Sequence, residues 1–234
     1  MLRLFREKPK VLTFKAPRSK MGQVNEEDKQ EGKRQSVLEL RLLLRQAFDE
    51  DEYGIVVALL GAGINLNDPI DESGKNLLHL AVVYGKIDLV KLLLEKYEVN
   101  LLGNVVRVNC QERLEKGTKI ISRWDEYNCL HSLCANFTND LKMMICLLNS
   151  CGSEYEKKKF LNAFTKYRRE TPLHISCRFN NHKLVQYLLN ANVEYWRKDR
   201  YGRTALDVAY RFQNLKCVGV FEQYYVKKGI AGCP

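Results

Sequence analysis

The sequence predicts an all-α solenoid of stacked helix-turn-helix units with extended connecting fingers, and two observations predict it. The first is a recurrence: Thr171-Pro172-Leu173-His174 and Thr204-Ala205-Leu206-Asp207 hold the same places 33 residues apart. The second is helical apolar spacing inside the recurring unit, as in Leu184-Val185-Gln186-Tyr187-Leu188-Leu189. One such unit buries too little apolar surface to stand alone, so a fixed period implies stacking around a continuous core. Local chemistry agrees with the phase. Thr171 and Thr204 are good N-caps, Pro172 and Ala205 suit the first helical position, and Asp207 completes a capping box with Thr204.

In chain order, residues 1–35 show no sustained period of 2 or 3.6 and read as a basic, mobile arm. Residues 1–20 alone hold seven Lys/Arg against Glu7, so most of the net charge of +10 sits there. Order is expected to begin near Ser36, as a cap for Val37 to Leu44. Gly54 to Leu60 forms a second helix that Gly63 ends in the left-handed conformation. The next unit runs through Gly74, Asn76 as cap, Leu77-Leu78-His79-Leu80-Ala81 and Leu89 to Leu94. A third follows at Asn128-Cys129-Leu130-His131 and Met143 to Leu148. The spacing from His79 to His131 is 52, and from His131 to His174 it is 43, so two connections are enlarged. The last unit ends in a helix over Leu215 to Val226, followed by a short tail at 227–234.

The period and the Thr-Pro-Leu-His start resemble the ankyrin-repeat family. The resemblance covers about 36–226, with units near 36–67, 68–100, 124–152, 168–198 and 199–226 and insertions near 96–124 and 153–169. It implies a protein-binding scaffold. The family's glycine two places before the cap is present as Gly74 and Gly202 but is replaced by Glu126 and Arg169. Those two joints are therefore expected to carry longer excursions than the usual tight finger.

Composition and motif content narrow the function. At 45% hydrophobic the chain can build a core. No apolar run reaches the roughly 18 residues of a membrane helix, and the N-terminus lacks the apolar stretch of a signal peptide. Cys129, Cys134, Cys146, Cys177 and Cys217 fall where sibling units carry Ala, Leu or Val, which fits reduced core thiols and a cytoplasmic or nuclear protein. His79, His131 and His174 recur at one repeat position, each three residues after a cap. That placement suits hydrogen bonding at unit junctions, and repeat-equivalent residues lie too far apart to share a metal. Met143 and Met144 face the core by period. No nucleophile–base pair, phosphate loop or metal-ligand spacing is present, so no enzyme activity and no cofactor are expected.

What remains is surface. The second insertion carries Lys157, Lys158, Lys159, Lys166, Arg168 and Arg169, interleaved with Tyr155, Phe160, Phe164 and Tyr167. The next connection carries Tyr195, Trp196, Arg197, Lys198, Arg200, Tyr201 and Arg203. The first insertion adds Arg107, Arg113, Lys116, Lys119 and Arg123. Stacking in order should align these connections along one edge as a basic, aromatic ridge beside the concave face, and Trp, Tyr and Arg are the residue types that dominate binding hot spots. The expected function is a non-enzymatic adaptor, scaffold or competitive inhibitor, monomeric by itself. Its partner is another protein with an acidic or extended segment. A nucleic-acid or anionic-membrane binder using the arm and ridge is the alternative, and it would show steep salt dependence.

Overall fold

The structure, a computed structural model, describes residues 26–70, 74–97, 101, 105–113, 120–136 and 140–230. The chain divides into two compact units, residues 1–39 and 40–234. In the first, residues 26–39 are helical, forming the start of α1 (Glu26–Asp49). This corrects the expected boundary of the arm: Ser36 lies inside a helix and does not cap one. Residues 26–35 are rich in Glu, Lys, Gln and Arg, strong helix formers whose propensity leaves no apolar period to read. Residues 1–25 of the expected arm lie outside the described residues.

The second unit begins with the end of α1 and α2 (Tyr53–Gly61), a helical pair closed by Gly63 at φ 102°. Four further helical hairpins follow in phase: α3 (Leu77–Val83) with α4 (Ile87–Lys96), α5 (Cys129–Cys134) with α6 (Leu141–Asn149), α8 (Pro172–Arg178) with α9 (His182–Asn190), and α10 (Ala205–Arg211) with α11 (Leu215–Lys228). The first helices α3, α5, α8 and α10 pack side by side in one row, and the second helices α4, α6, α9 and α11 in another. The core lies between the rows, from Leu44 and Phe48 through Leu93, Leu130, Met143, Met144 and Leu188 to Phe221. Lys227 and Lys228, expected in the tail, extend α11, and Gly229 ends it at φ 65°. Residues 231–234 lie outside the described residues.

Both enlarged connections carry regular elements among the described residues. The first is an antiparallel hairpin of β1 (Val105–Arg113) and β2 (Ile120–Asn128), with Val105 opposite Asn128 and Arg113 opposite Ile120. The finger is thus lengthened rather than lost. β2 runs straight into Asn128, the cap of α5, which explains why Glu126 stands where a tight turn would need glycine. The second connection forms an extra helix, α7 (Glu154–Leu161), capped by the Ser153 side chain. Phe160, 1% exposed, and Leu161 anchor it in the core. Its chain then returns to a tight turn in which Arg169 takes φ 54°, close to Gly74 at 78° and Gly202 at 73°.

Two sets of polar contacts tie successive units. Near the start of α3, α5 and α8, histidine Nε2–H donates to a carbonyl further along the stack: His79 to Tyr127 (3.1 Å), His131 to Ala163 (3.0 Å) and His174 to Arg203 (3.0 Å). In His131 and His174, Nδ1 accepts the backbone N–H of the cap residue. A neutral imidazole protonated on Nε2 meets both demands. Near the ends of α3, α5 and α8, an amide from the following unit donates to backbone carbonyls. Asn136 reaches Val83, Asn181 reaches Cys134 and Asn136, and Asn214 reaches Cys177 and Arg178, all at 2.5–2.9 Å. Lys86 does the same to Phe48 in the first pair. These amides satisfy helix carbonyls that the helix itself leaves open.

A Cβ at Gly202 or Gly219 would meet nothing within 4 Å, so alanine there tests backbone alone. Gly202→Ala should cost about 1 kcal/mol because of its positive φ, while Gly219→Ala in the middle of α11 should gain about 0.5–1 kcal/mol; urea midpoints of the two variants would then move in opposite directions. Burial also pushes His79 and His131 down to about 4 and lowers His174. The unfolded chain takes up protons near 6.5 while the folded state refuses them, so stability is full above pH 6.5 and declines as pH falls toward 4. Each of His79 and His131 should cost about 1–2 kcal/mol at pH 5 relative to pH 7.5, and a flat urea midpoint across that range would contradict the buried-neutral assignment.

Candidate partner-binding surface

Three connections meet along one edge, and Asp125 is the pivot. Its carboxylate is fully buried at the base of the β-hairpin and accepts three backbone N–H groups: Glu126 (2.9 Å), Tyr167 (2.7 Å) and Arg168 (3.1 Å). The first insertion is thereby tied to the turn that follows α7. The next finger is tied in turn, since Arg200 N–H donates to the Arg168 carbonyl at 2.9 Å. That finger is held by Asp199, which accepts from the Tyr201 and Arg203 backbones and from the Arg203 guanidinium at 2.6 and 2.8 Å.

From this frame a chain of basic and aromatic side chains runs along the edge. Lys158 lies 3.9 Å from Glu194, and Glu194 also pairs with Arg197 at 2.5 Å. The Arg197 guanidinium sits 4.8 Å from the centre of the Phe164 ring, and the Arg169 guanidinium sits 5.0 Å from the same ring. One peptide unit away, Arg200 lies over Tyr167 at 4.5 Å. Lys166 pairs with Glu126 of the hairpin at 2.8 Å. Trp196 is 61% exposed and meets the edge of Tyr195. Beside the chain, Lys157, Lys158, Leu161, Tyr187, Asn190 and Asn192 line an open cleft of about 610 Å³ between α7 and the end of α9.

Several expected surface residues have other duties. Arg168 is 7% exposed and belongs to the buried joint with Asp125, so its place on the ridge is corrected: the backbone bonds to Asp125 draw it under the turn. Arg203 is half-buried against Asp199 and lies 4.6 Å from the Tyr201 ring, which makes it chiefly a brace for its own finger. Tyr195 packs inward against Tyr224 and Tyr225. Phe160 is core. Lys157 pairs with Glu154 at 3.3 Å, while Lys159, Lys198 and Tyr201 are exposed. The side chains of Arg107, Arg113 and Arg123, and residues Lys116 and Lys119, lie outside the described residues.

The rim is not uniformly basic. Lys157, Lys158, Lys166, Arg197 and Arg203 each have an acidic neighbour. Arg169, Lys198 and Arg200 have none within 4.0 Å among the described residues. Sequence reading missed Asp125 and the junction asparagines. A faint signal existed for the latter, because Asn181 and Asn214 are themselves 33 residues apart. Asp125 had no such signal, since the long-range geometry alone gives it its role. The titratable groups inside the stack are already used: the histidines are neutral junction donors, and burial pushes the Cys129 and Cys134 thiols up to about 12.

Helical hairpins in two rows, linked by extended fingers along a shared edge, define a solenoid repeat protein. The chain belongs to the ankyrin-repeat family: residues 73–103 match the family model for an ankyrin repeat, and residues 130–225 match the model for ankyrin repeats in three copies. Ankyrin repeats bind other proteins, and such domains are generally non-enzymatic. The chain is also similar to an L-asparaginase of Dirofilaria immitis, at 26% identity over 178 residues, which is 70% of this chain and 28% of that protein. The chain therefore spans little more than a quarter of the relative's length.

If Asp125 organises the edge, Asp125→Ala should cost about 2–3 kcal/mol, because it strands buried backbone donors. It should also speed hydrogen exchange at Tyr167 and Arg168, and unchanged exchange at both amides would show that the joint does not depend on the carboxylate.

Proposed function

We propose that the protein is a non-enzymatic interaction module of the cytoplasm or nucleus, acting as an adaptor, scaffold or competitive inhibitor. Its partner is another protein, which docks an acidic or extended segment on the finger edge and the neighbouring concave face. The observation that carries this reading is the alignment of three connections through Asp125 and the Arg168 carbonyl. It sets Lys158, Arg197, Arg169 and Arg200 in one basic and aromatic row. Aromatic and arginine anchors on a rigid scaffold are the usual source of binding energy at such surfaces. The buried thiols support a reducing compartment. Catalysis has no support from the L-asparaginase relative, whose name describes a protein of which this chain covers 28%.

The nucleic-acid or membrane alternative is weakened by the internal ion pairs. A surface built to neutralise phosphates would leave its lysines and arginines open, whereas five of the ridge cations already face carboxylates. Charge reversal at Lys158, Arg197 and Arg200 together should abolish partner capture from lysate while leaving thermal stability within a few degrees of wild type. Unchanged capture would remove the finger edge from the account. A gel shift with log affinity falling steeply against log salt would favour nucleic acid instead.

A further inference from the structure

Within the ridge, the side chains differ in what holds them and in whether their charge is spent. Arg169 and Arg200 share three properties that no other ridge cation combines. Each guanidinium is held against an aromatic ring, Arg169 at 5.0 Å from Phe164 and Arg200 at 4.5 Å from Tyr167. Each has no acidic neighbour within 4.0 Å among the described residues, and each is exposed. The Arg200 N–H donates to the Arg168 carbonyl, the peptide group that leads into Arg169, so the two backbones are tied side by side. A guanidinium lying on a ring has its rotamer freedom already restricted, while its N–H donors remain available along the edge for a planar, two-pronged carboxylate contact.

Backbone strain adds an independent sign. The turn position of Arg169 is glycine in units two and five, Gly74 and Gly202, all at positive φ, while unit three carries Glu126 in a strand there. Among the described residues four other non-glycine positions take positive φ: Asp51, Asn180 and Asn192 are types that tolerate it, and Gln213 at φ 56° is not. Arginine does not share that tolerance. A strained residue kept where glycine would sit freely points to a role for its side chain.

Building on the module reading above, we infer that Arg169 and Arg200 form a two-guanidinium clamp for the carboxylates of an Asp/Glu-rich peptide segment. Lys157, Lys158, Lys159 and Lys166 steer that segment without contacting it closely. Recognition therefore depends on guanidinium geometry and not on net positive charge alone.

The test uses the full chain and a fluorescein-labelled decaglutamate peptide, read by anisotropy. Wild type binds it saturably. Arg169→Gly weakens binding at least tenfold with a thermal midpoint equal to or above that of wild type, because strain is relieved. Arg169→Lys with Arg200→Lys, which keeps every charge, also weakens it at least tenfold, whereas Lys159→Gln changes it less than twofold. The clamp is overturned if the double lysine variant binds like wild type, if decaglutamate does not bind, or if single-stranded DNA of matched charge binds as tightly. Loss of partner capture on charge reversal at Lys158, Arg197 and Arg200, combined with intact capture by the Arg169→Gly and double lysine variants, would leave the module standing and remove the clamp alone.

Discussion

Polar contacts between successive first helices hold this stack in register, and the remaining features build on them. Each of α3, α5 and α8 lies with a buried histidine near its start and carbonyls at its end that the helix's own ladder does not fully use. The Nε2–H of His79, His131 and His174 and the amides of Asn136, Asn181 and Asn214 answer those needs across the junctions. A buried donor or acceptor without its partner costs more than the bond itself contributes, so any slip of one unit against the next would strand several groups at once. Apolar packing alone would tolerate such slips far better. In unit five the histidine position is Asp207, which closes its capping box with Thr204 and makes no longer reach.

This arrangement also explains how two long insertions fit without disturbing the phase. His131 does not reach the residue just before the next cap, as His174 does; it donates to Ala163, at the end of the α7 segment. The insertion has been drawn into the junction. Phe160 and Leu161 fill core space, and Asn162 accepts the Glu194 N–H at 2.8 Å, so α7 is integrated at both its apolar and its polar contacts. The β-hairpin, by contrast, is joined near its base through Asp125, which accepts the Tyr167 and Arg168 N–H groups.

The sequence displayed the period, the caps, the histidine junctions, the core methionines and the buried thiols, because each is a local pattern repeated at a fixed offset. It hid what depends on contacts remote along the chain. Nothing local distinguishes Asp125, which acts on residues more than forty positions away, or Arg168, whose burial follows from that same bond. Residues 26–35 lacked an apolar stripe and read as an arm although their composition favours helix. The insertions were located by counting, but counting does not tell a hairpin from a helix. The ridge was legible as a row of basic and aromatic residues; its division into paired and open charges was not, because Glu126 and Glu194 reach the ridge only through the fold.

That division bears on how a solenoid edge acquires specificity. Cations paired with neighbouring carboxylates have their charge partly offset and so contribute little net attraction, while the exposed pairs themselves are weak and screened. The open guanidinia of Arg169 and Arg200 are few, and they lie on the rings of Phe164 and Tyr167, whose backbone is tied to the stack by the Ala163 carbonyl and the Tyr167 N–H. Arg169 takes an αL backbone that costs about 1 kcal/mol for a residue of its kind. The Thr165 N–H to Glu170 carbonyl bond and the Asp125 contacts determine the turn around it strongly enough to sustain that cost. The rigidity of the stack is thus what permits a strained arginine at the tip of a finger. A softer turn would relax the residue and scatter the side chain whose direction gives the edge its selectivity.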